Sequence, residues 1–140
     1  MSNGIKVKKR NGRGTEALNL EKMHVMVEQA CEGLAGVSAS QVEINSGIQF
    51  YDGITTQEIQ EILIRSASDL IDLDHPNYQF VAARLLLFAL RKSLFGRMHE
   101  CPDVHSHVKK CVEKGIYDAE LLDLYSEEEY NKLQSFIDHD

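Results

Sequence analysis

A basic, glycine-containing segment near the start of the chain has the residue types that bind phosphate. It reads Lys8-Lys9-Arg10-Asn11-Gly12-Arg13-Gly14. Backbone N–H groups in such a turn and cationic side chains both donate hydrogen bonds to phosphate oxygens. The segment is not a Walker A loop, because no G-x-x-x-x-G-K-[ST] motif occurs in the chain. A solvated charged hairpin explains the same residues, so this segment alone does not define a site.

Three other places in the sequence carry groups that attract anions. Asn19 and Lys22 lie at the predicted start of one helix, and residues 55–56 begin another with two threonines. Helix amino termini favour anions because their first N–H groups have no partner within the helix. Residues 91–92, Arg-Lys, add cations near the predicted end of a further helix. Cations at a helix carboxyl end also have a purely structural explanation, which is their interaction with the helix dipole.

The sequence indicates neither a catalytic nor a metal site. The histidines and cysteines at positions 101, 105, 107 and 111 form C-x3-H-x-H-x3-C, a spacing that matches no common zinc module. His105 and His107 would also point to different faces of a helix. No serine or cysteine lies in a recognisable nucleophile setting with a histidine partner. Glutamates 127–129 are typical of a first helical turn rather than of paired catalytic acids.

The elements that must position these residues are predicted from periodicity and turn signals. Alternating polarity on either side of the turn predicts a β-hairpin over residues 5–18. Apolar spacing and capping residues predict four helices, namely from Leu20 toward Gly36, from Ser38 to about Ile48, from Thr55 to about Leu73, and from Tyr78 to about Gly96. The predicted fold class is therefore α+β and mainly helical.

The composition changes after residue 96, and we place a subdomain boundary there. Residues 97–102 read as a loop, followed by short helices over 104–115, around 121–122 and after Ser126. Residues 113–140 carry a net charge of −7. They have too few apolar residues to fold independently, so we expect them to dock on another surface.

Length and charge restrict the class of protein. The chain has 140 residues and a net charge of −7, although residues 1–22 carry +4. This overall acidity argues against a general nucleic-acid binder. No apolar run reaches the roughly 20 residues of a membrane span, and no apolar stretch follows the basic start as in a secretory signal. Three cysteines fit a reducing compartment, so a cytoplasmic protein is expected.

Several motifs resemble those of one family along essentially the whole chain. The opening, Val7-Lys8-Lys9-Arg10-Asn11-Gly12 followed by Glu16 and Asn19-Leu20-Glu21-Lys22, resembles the ATP-cone of class I ribonucleotide reductase large subunits, of the enterobacterial type. The likeness continues in residues 30–34, 37–43, 48–54, 76–85, 90–92, 115–118 and 136–140. The resemblance implies a cone over residues 1–96, with a hairpin capping a four-helix bundle. It also implies a helical connector over residues 97–140 toward a catalytic barrel absent from this chain.

By resemblance, the cone is the allosteric activity site of an oxidoreductase. It binds ATP, which permits activity, or dATP, which suppresses it, with Mg²⁺ expected alongside. The implied triphosphate-binding cations are Lys9, Arg10, Lys22 and Lys92. Glu16 and Asn19 match positions that read the adenine, Thr56 and Gln60 lie at positions near the sugar and phosphates, and Val7, Met23 and Phe50 match the apolar lining. The implied partners are the radical-generating small subunit, other large subunits and the rest of the large subunit.

Two features depart from the family pattern, and two alternative functions are considered. Gln60 replaces a histidine and cannot carry its charge, and Arg13-Gly14 lengthens the turn. One alternative is a degenerate cone that serves only in structure or subunit docking. The other is a cone-containing transcriptional repressor, which needs a zinc ribbon; no C-x2-C pair opens this chain. The surface over residues 38–73 is the predicted contact for other subunits.

Overall fold

The computed structural model describes residues 4–9, 12 and 14–138, and it is mainly helical with one two-stranded antiparallel sheet, as predicted. The strands are β1 (Lys6–Lys8) and β2 (Thr15–Ala17). The helices are α1 (Leu20–Cys31), α2 (Ala39–Gly47), α3 (Thr56–Asp69), α4 (Tyr78–Phe95), α5 (Val104–Glu113), α6 (Glu120–Leu124) and α7 (Glu127–Gln134). The chain forms two compact units, which divide between Met98 and His99.

The first unit is built on one hydrophobic core. Helix α1 packs against α2 and α4, and α3 packs against α2 and α4. Their shared core includes Val27, Leu63 and Val81, none of which is exposed. Burial of apolar side chains is the main favourable contribution to the free energy of folding. Val7 of the hairpin also belongs to this core, so the sheet is fixed to the helices by packing.

Two helices end earlier than the sequence pattern predicts. Helix α1 ends at Cys31, not near Gly36, and the chain turns at Gly33, where φ is +69°. Helix α3 ends at Asp69, not near Leu73, and Leu73 is fully exposed. Both predictions extended the helix because apolar residues follow at helical spacing. The apolar residues that follow each helix lie in the connecting loops, where some are packed and others are exposed. Apolar periodicity alone therefore misplaced the ends of α1 and α3.

The second unit contains three short helices. Helix α5 packs against α6 and α7, with Val108, Cys111 and Tyr130 buried. The Tyr130 hydroxyl donates to the Leu121 carbonyl at 2.7 Å, and the Val104 amide donates to Gln134 Oε1 at 2.8 Å. None of the helices in the described part of the chain is long and apolar enough to cross a membrane.

A histidine between two carboxylates links α1 to α2. His24 Nδ1 lies 2.7 Å from Glu43 Oε1, and Nε2 lies 3.1 Å from Glu28 Oε1. The hydrogen bond to Glu43 is the largest cause of a raised His24 pKa, and the charges of Glu43 and Glu28 act in the same direction.

This geometry predicts a pH-dependent contribution of His24 to stability. Because the folded pKa is raised, the contribution is complete below the unfolded value of about 6.5 and is lost as pH rises through the folded pKa. We therefore expect His24→Gln to lower the urea midpoint at pH 6 more than at pH 8. NMR titration should give a lower His24 midpoint in Glu43→Gln, and an unchanged midpoint would contradict this assignment.

Candidate functional site

The face of the hairpin that carries the buried Val7, here called the inner face, has both apolar and charged side chains. In the β-sheet register Val7 lies opposite Glu16, so these two side chains project from the same face, together with Lys9 two residues on. Lys9 Nζ lies 2.8 Å from Glu16 Oε2, and both side chains are about half exposed. The hydrogen bond from Lys9 lowers the pKa of the Glu16 carboxyl, and the charge of Lys22 also lowers it. Two predicted site residues are thus paired with each other.

The hairpin is joined by hydrogen bonds to the segment that precedes α3. The Lys8 amide donates to the Ile54 carbonyl at 2.9 Å, and the Gly53 amide donates to the Lys6 carbonyl at 2.8 Å. The Lys6 amide also donates to Asp52 Oδ1 at 2.8 Å. Gly53 has a φ of +85°, a conformation that favours glycine, and this turn aligns the segment with β1. The start of α3 is therefore held beside the hairpin.

A capping network fixes the first turn of α3. The Thr55 hydroxyl accepts from the Glu58 amide at 3.1 Å, and Glu58 Oε2 accepts from the Thr55 amide at 2.8 Å, which completes a capping box. Tyr51 donates to Glu58 Oε1 at 3.0 Å. These hydrogen bonds, with that from the Thr55 backbone the largest, lower the Glu58 pKa. The network holds Thr56 at the first helical position, where a hydroxyl and free amides face the helix amino end.

The capping box predicts a measurable loss of stability on truncation. We expect Thr55→Ala to lower the free energy of unfolding by about 1 kcal/mol, since the alanine cannot accept from the Glu58 amide. Ser38→Ala is the matched control, because Ser38 caps α2 through a single longer bond of 3.4 Å from the Gln41 amide. Urea unfolding should show the larger loss for Thr55→Ala. Equal losses would indicate that the additional bond from the Thr55 hydroxyl to Glu58 Oε2 adds nothing.

Contacts at the end of the first unit away from the hairpin establish the relative directions of α1 and α4. Arg84 of α4 donates to the carbonyls of Ala30 and Glu32 at 3.1 and 2.7 Å, and Asn77 donates to the Ala35 carbonyl at 2.9 Å. The end of α1 therefore lies beside the first half of α4. Helices α3 and α4 are joined by a short connection and pack together, the arrangement of an antiparallel pair. Consequently the starts of α1 and α3 and the end of α4 lie at the same end of this unit.

Three predicted polar residues occupy these helix ends. Lys22 lies in the first turn of α1, one turn before the buried Met26, and Lys92 lies in the last turn of α4, one turn after the buried Phe88. Both lysines thus extend core-facing stripes of their helices. Gln60 continues the same stripe of α3 as Thr56 and is only 7% exposed.

Asn19 has a structural role at the start of α1. Its Oδ1 accepts from the Lys22 amide at 3.0 Å, which makes it the cap of α1. An asparagine amide retains its NH₂ donor while the oxygen is engaged in this way. The side chain can therefore still donate to a ring nitrogen of a bound base.

The three predicted apolar residues are in two different settings. Val7 is 3% exposed within the core. Met23 and Phe50 are partly buried and line an open groove of about 760 Å³ between the hairpin, α1 and α2, together with Ile5, Leu18 and Ile44. Among the described residues, none of the predicted cations lines this groove. The apolar set is thus not gathered into one surface.

Some predicted residues lie elsewhere, and some structural residues were missed. Arg10 and Arg13 lie outside the described residues. His107 approaches Cys111 at 3.5 Å, whereas His105 packs against Tyr130. Sequence reasoning missed the support given by residues 51 and 52 and by Arg84. No pattern in a single sequence signals the contacts of Asp52 and Arg84, since they join residues 46 and 54 positions apart.

The chain matches one domain family, and the similar proteins are alpha subunits of one kind of enzyme. Residues 5–93 match the model of the ATP cone domain. The chain is 52% identical over 140 residues to ribonucleoside-diphosphate reductase 1 subunit alpha of Salmonella typhimurium and 51% identical to that of Escherichia coli, in each case over 100% of this chain and 18% of that protein. The alpha subunit of Enterobacteria phage T4 is 39% identical over 128 residues, which is 90% of this chain and 16% of that protein. The chain thus spans about a fifth of the length of these curated relatives.

Proposed function

Because this chain belongs to the ATP-cone domain family, we propose that the end of its first unit beneath the hairpin binds ATP or dATP. Binding there regulates a ribonucleoside-diphosphate reductase, with ATP permitting and dATP suppressing activity. We assign nucleotide binding to residues 1–96, where the hairpin closes a four-helix bundle, and a connecting role to residues 97–140.

One observation carries the proposal, namely the convergence of anion-binding groups at a single end of the helices. The amino ends of α1 and α3 meet the carboxyl end of α4 there, with Lys22, Thr56 and Lys92 on them. Lys9 of the hairpin lies at the same end of the helices, where it pairs with Glu16. Two helix amino ends and three cations match the charge of a triphosphate, whose oxygens accept hydrogen bonds from both kinds of donor. Mg²⁺ bound by the phosphates themselves completes the ligand.

The remaining groups suit a nucleoside. Glu16 provides a carboxylate acceptor for the exocyclic amine of adenine, and Asn19 provides an amide donor for a ring nitrogen. Gln60 supports the proposal because it follows Thr56 by one turn of α3, and its side-chain amide can both donate to and accept from a ligand.

Calorimetric titration of the 140-residue chain with ATP, dATP and dTTP tests the proposal. We expect saturable binding of ATP and dATP and none of dTTP, because a carboxylate accepts from the adenine amine but not from the thymine carbonyl. The stoichiometry gives the number of nucleotides bound. A chain that is folded by circular dichroism and binds neither adenine nucleotide would instead support the alternative of a degenerate cone with a docking role.

The surface formed by α2, α3 and their flanking loops, residues 38–73, is our proposed contact with the small subunit or with other large subunits. It exposes apolar side chains, among them Ile44 and Ile48, which are 66% and 82% exposed. Exposed apolar residues grouped on one face are typical of interaction surfaces. We propose that this assembly is cytoplasmic, since the three thiols form no disulfide, as in a reducing compartment.

Charge substitution tests this surface. We expect Ile44→Glu combined with Ile48→Glu to abolish dATP-dependent association, measured by analytical ultracentrifugation of a large subunit carrying this domain with its small subunit. Leu86→Glu is the control, since Leu86 is 57% exposed on α4 and lies outside residues 38–73. Retained association of the double variant would exclude this face.

A further inference from the structure

The proposed function assigns Lys9 to the phosphates and Glu16 to the adenine of the nucleotide, and these two side chains form an ion pair with each other. Lys9 Nζ and Glu16 Oε2 are 2.8 Å apart, on neighbouring strands whose register fixes both side chains on the inner face. Lys22 is near enough for its charge to act on the same carboxylate. Glu16 is thus an anion already lying among the cations that the triphosphate needs.

We propose that Glu16 is an internal counter-ion that competes with the triphosphate for Lys9, and that it becomes available to adenine only when phosphate has displaced it. This inference rests on the proposed function and concerns how that site couples its two halves. Base recognition then depends on phosphate binding, because the Glu16 carboxylate pairs first with Lys9 and then with adenine.

The energetics allow this exchange. The pair is about half exposed on each side, and ion pairs of that kind are weak. A triphosphate carries several negative charges and can engage more than one cation at once, so it outcompetes a single carboxylate. Once Lys9 has turned to the phosphates, Glu16 has lost its hydrogen-bond donor. The amine of adenine can supply a replacement, whereas guanine presents a carbonyl oxygen at that position and cannot.

By thermodynamic reciprocity, phosphate and base must then strengthen each other's binding even when they are separate molecules. Inorganic tripolyphosphate and 5′-deoxyadenosine are suitable probes, since the nucleoside lacks the 5′ oxygen that would collide with the end of the polyphosphate. Saturating tripolyphosphate should tighten the binding of 5′-deoxyadenosine by up to about fivefold, the range given by an exposed ion pair.

The experiment is an NMR titration of 5′-deoxyadenosine with and without saturating tripolyphosphate, on the unmodified chain, Glu16→Gln and Glu21→Gln. Glu21 lies exposed in the first turn of α1, so its variant removes the same charge without touching the pair. In Glu16→Gln we expect tripolyphosphate alone to bind up to about fivefold more tightly. We also expect the enhancement of nucleoside binding to disappear. Glu21→Gln should retain the enhancement.

The outcomes separate the counter-ion role of Glu16 from the proposed function. If the unmodified chain binds ATP but its nucleoside affinity is unchanged by tripolyphosphate, the counter-ion role of Glu16 is wrong while the proposed function stands. Equal behaviour of Glu16→Gln and Glu21→Gln would also overturn it, since general charge would then explain the effect. If ATP itself does not bind, the proposed function fails.

Discussion

Replacing Lys9 or Lys92 with alanine is expected to weaken ATP and dATP binding about 10- to 100-fold each, and the double variant should show no measurable binding. A hydrogen bond to a charged group contributes about 1.5–3 kcal/mol, and each 1.4 kcal/mol corresponds to a tenfold change in affinity. The two lysines come from the hairpin and from the last turn of α4, so the losses test whether these elements hold one ligand together. Isothermal calorimetry measures them directly.

Lys6→Ala is the matched control for Lys9→Ala. Both lysines are exposed in the hairpin, but Lys6 is one residue before Val7 and projects from the opposite face of β1. The control removes the same charge from the same segment and should change the affinity by less than threefold. Similar losses for Lys6→Ala and Lys9→Ala would contradict a site on the inner face and would indicate only a general attraction to the basic segment.

Replacing Leu63 with alanine is expected to lower the free energy of unfolding by about 2–5 kcal/mol. Leu63 has no exposed surface and lies on the same stripe of α3 as Gln60, in the core shared by the helices of the first unit. Its truncation removes apolar contacts and leaves a cavity that the surrounding helices fill only in part. Urea unfolding followed by far-ultraviolet circular dichroism measures the change.

Leu73→Ala removes the same atoms from a fully exposed position and provides the comparison. Its effect should stay within about 0.5 kcal/mol. A loss near zero for Leu63→Ala, with a normal slope on urea, would mean that α3 is not packed as described. Loss of nucleotide binding without loss of stability would be equally inconsistent with a structural role for Leu63.

A site that distinguishes ATP from dATP must convert one 2′-hydroxyl into a choice between two conformations. A ligand shifts such an equilibrium only by its difference in affinity for the two states. In this chain the polar group one helical turn after Thr56 is Gln60, which hydrogen-bonds but carries no charge. In the site that we propose, discrimination at this position would therefore depend on hydrogen-bond geometry alone.

The sequence by itself determined much of the local structure and supplied the candidate residues of the proposed site. Asn19, Ser38, Thr55 and Ser126 were predicted as helix starts, and each accepts the capping hydrogen bond expected of it. These signals are readable because a cap acts on an amide two or three residues away. The hairpin and the stop at Gly96 are local in the same sense, since one glycine with positive φ ends α4. The residues chosen for the nucleotide site came from local chemistry and from motif resemblance.

The tertiary structure decided how those residues are arranged. It paired Lys9 with Glu16, engaged Asn19 as a cap, enclosed Gln60 and left Val7 inside the core. It also ended α1 at Cys31, where the chain turns and the Arg84 guanidinium donates to the carbonyls of Ala30 and Glu32. Each outcome depends on groups that are far apart along the chain and meet only after the helices pack. Local propensity specifies which hydrogen bonds a residue can make, whereas packing determines which partners are within reach.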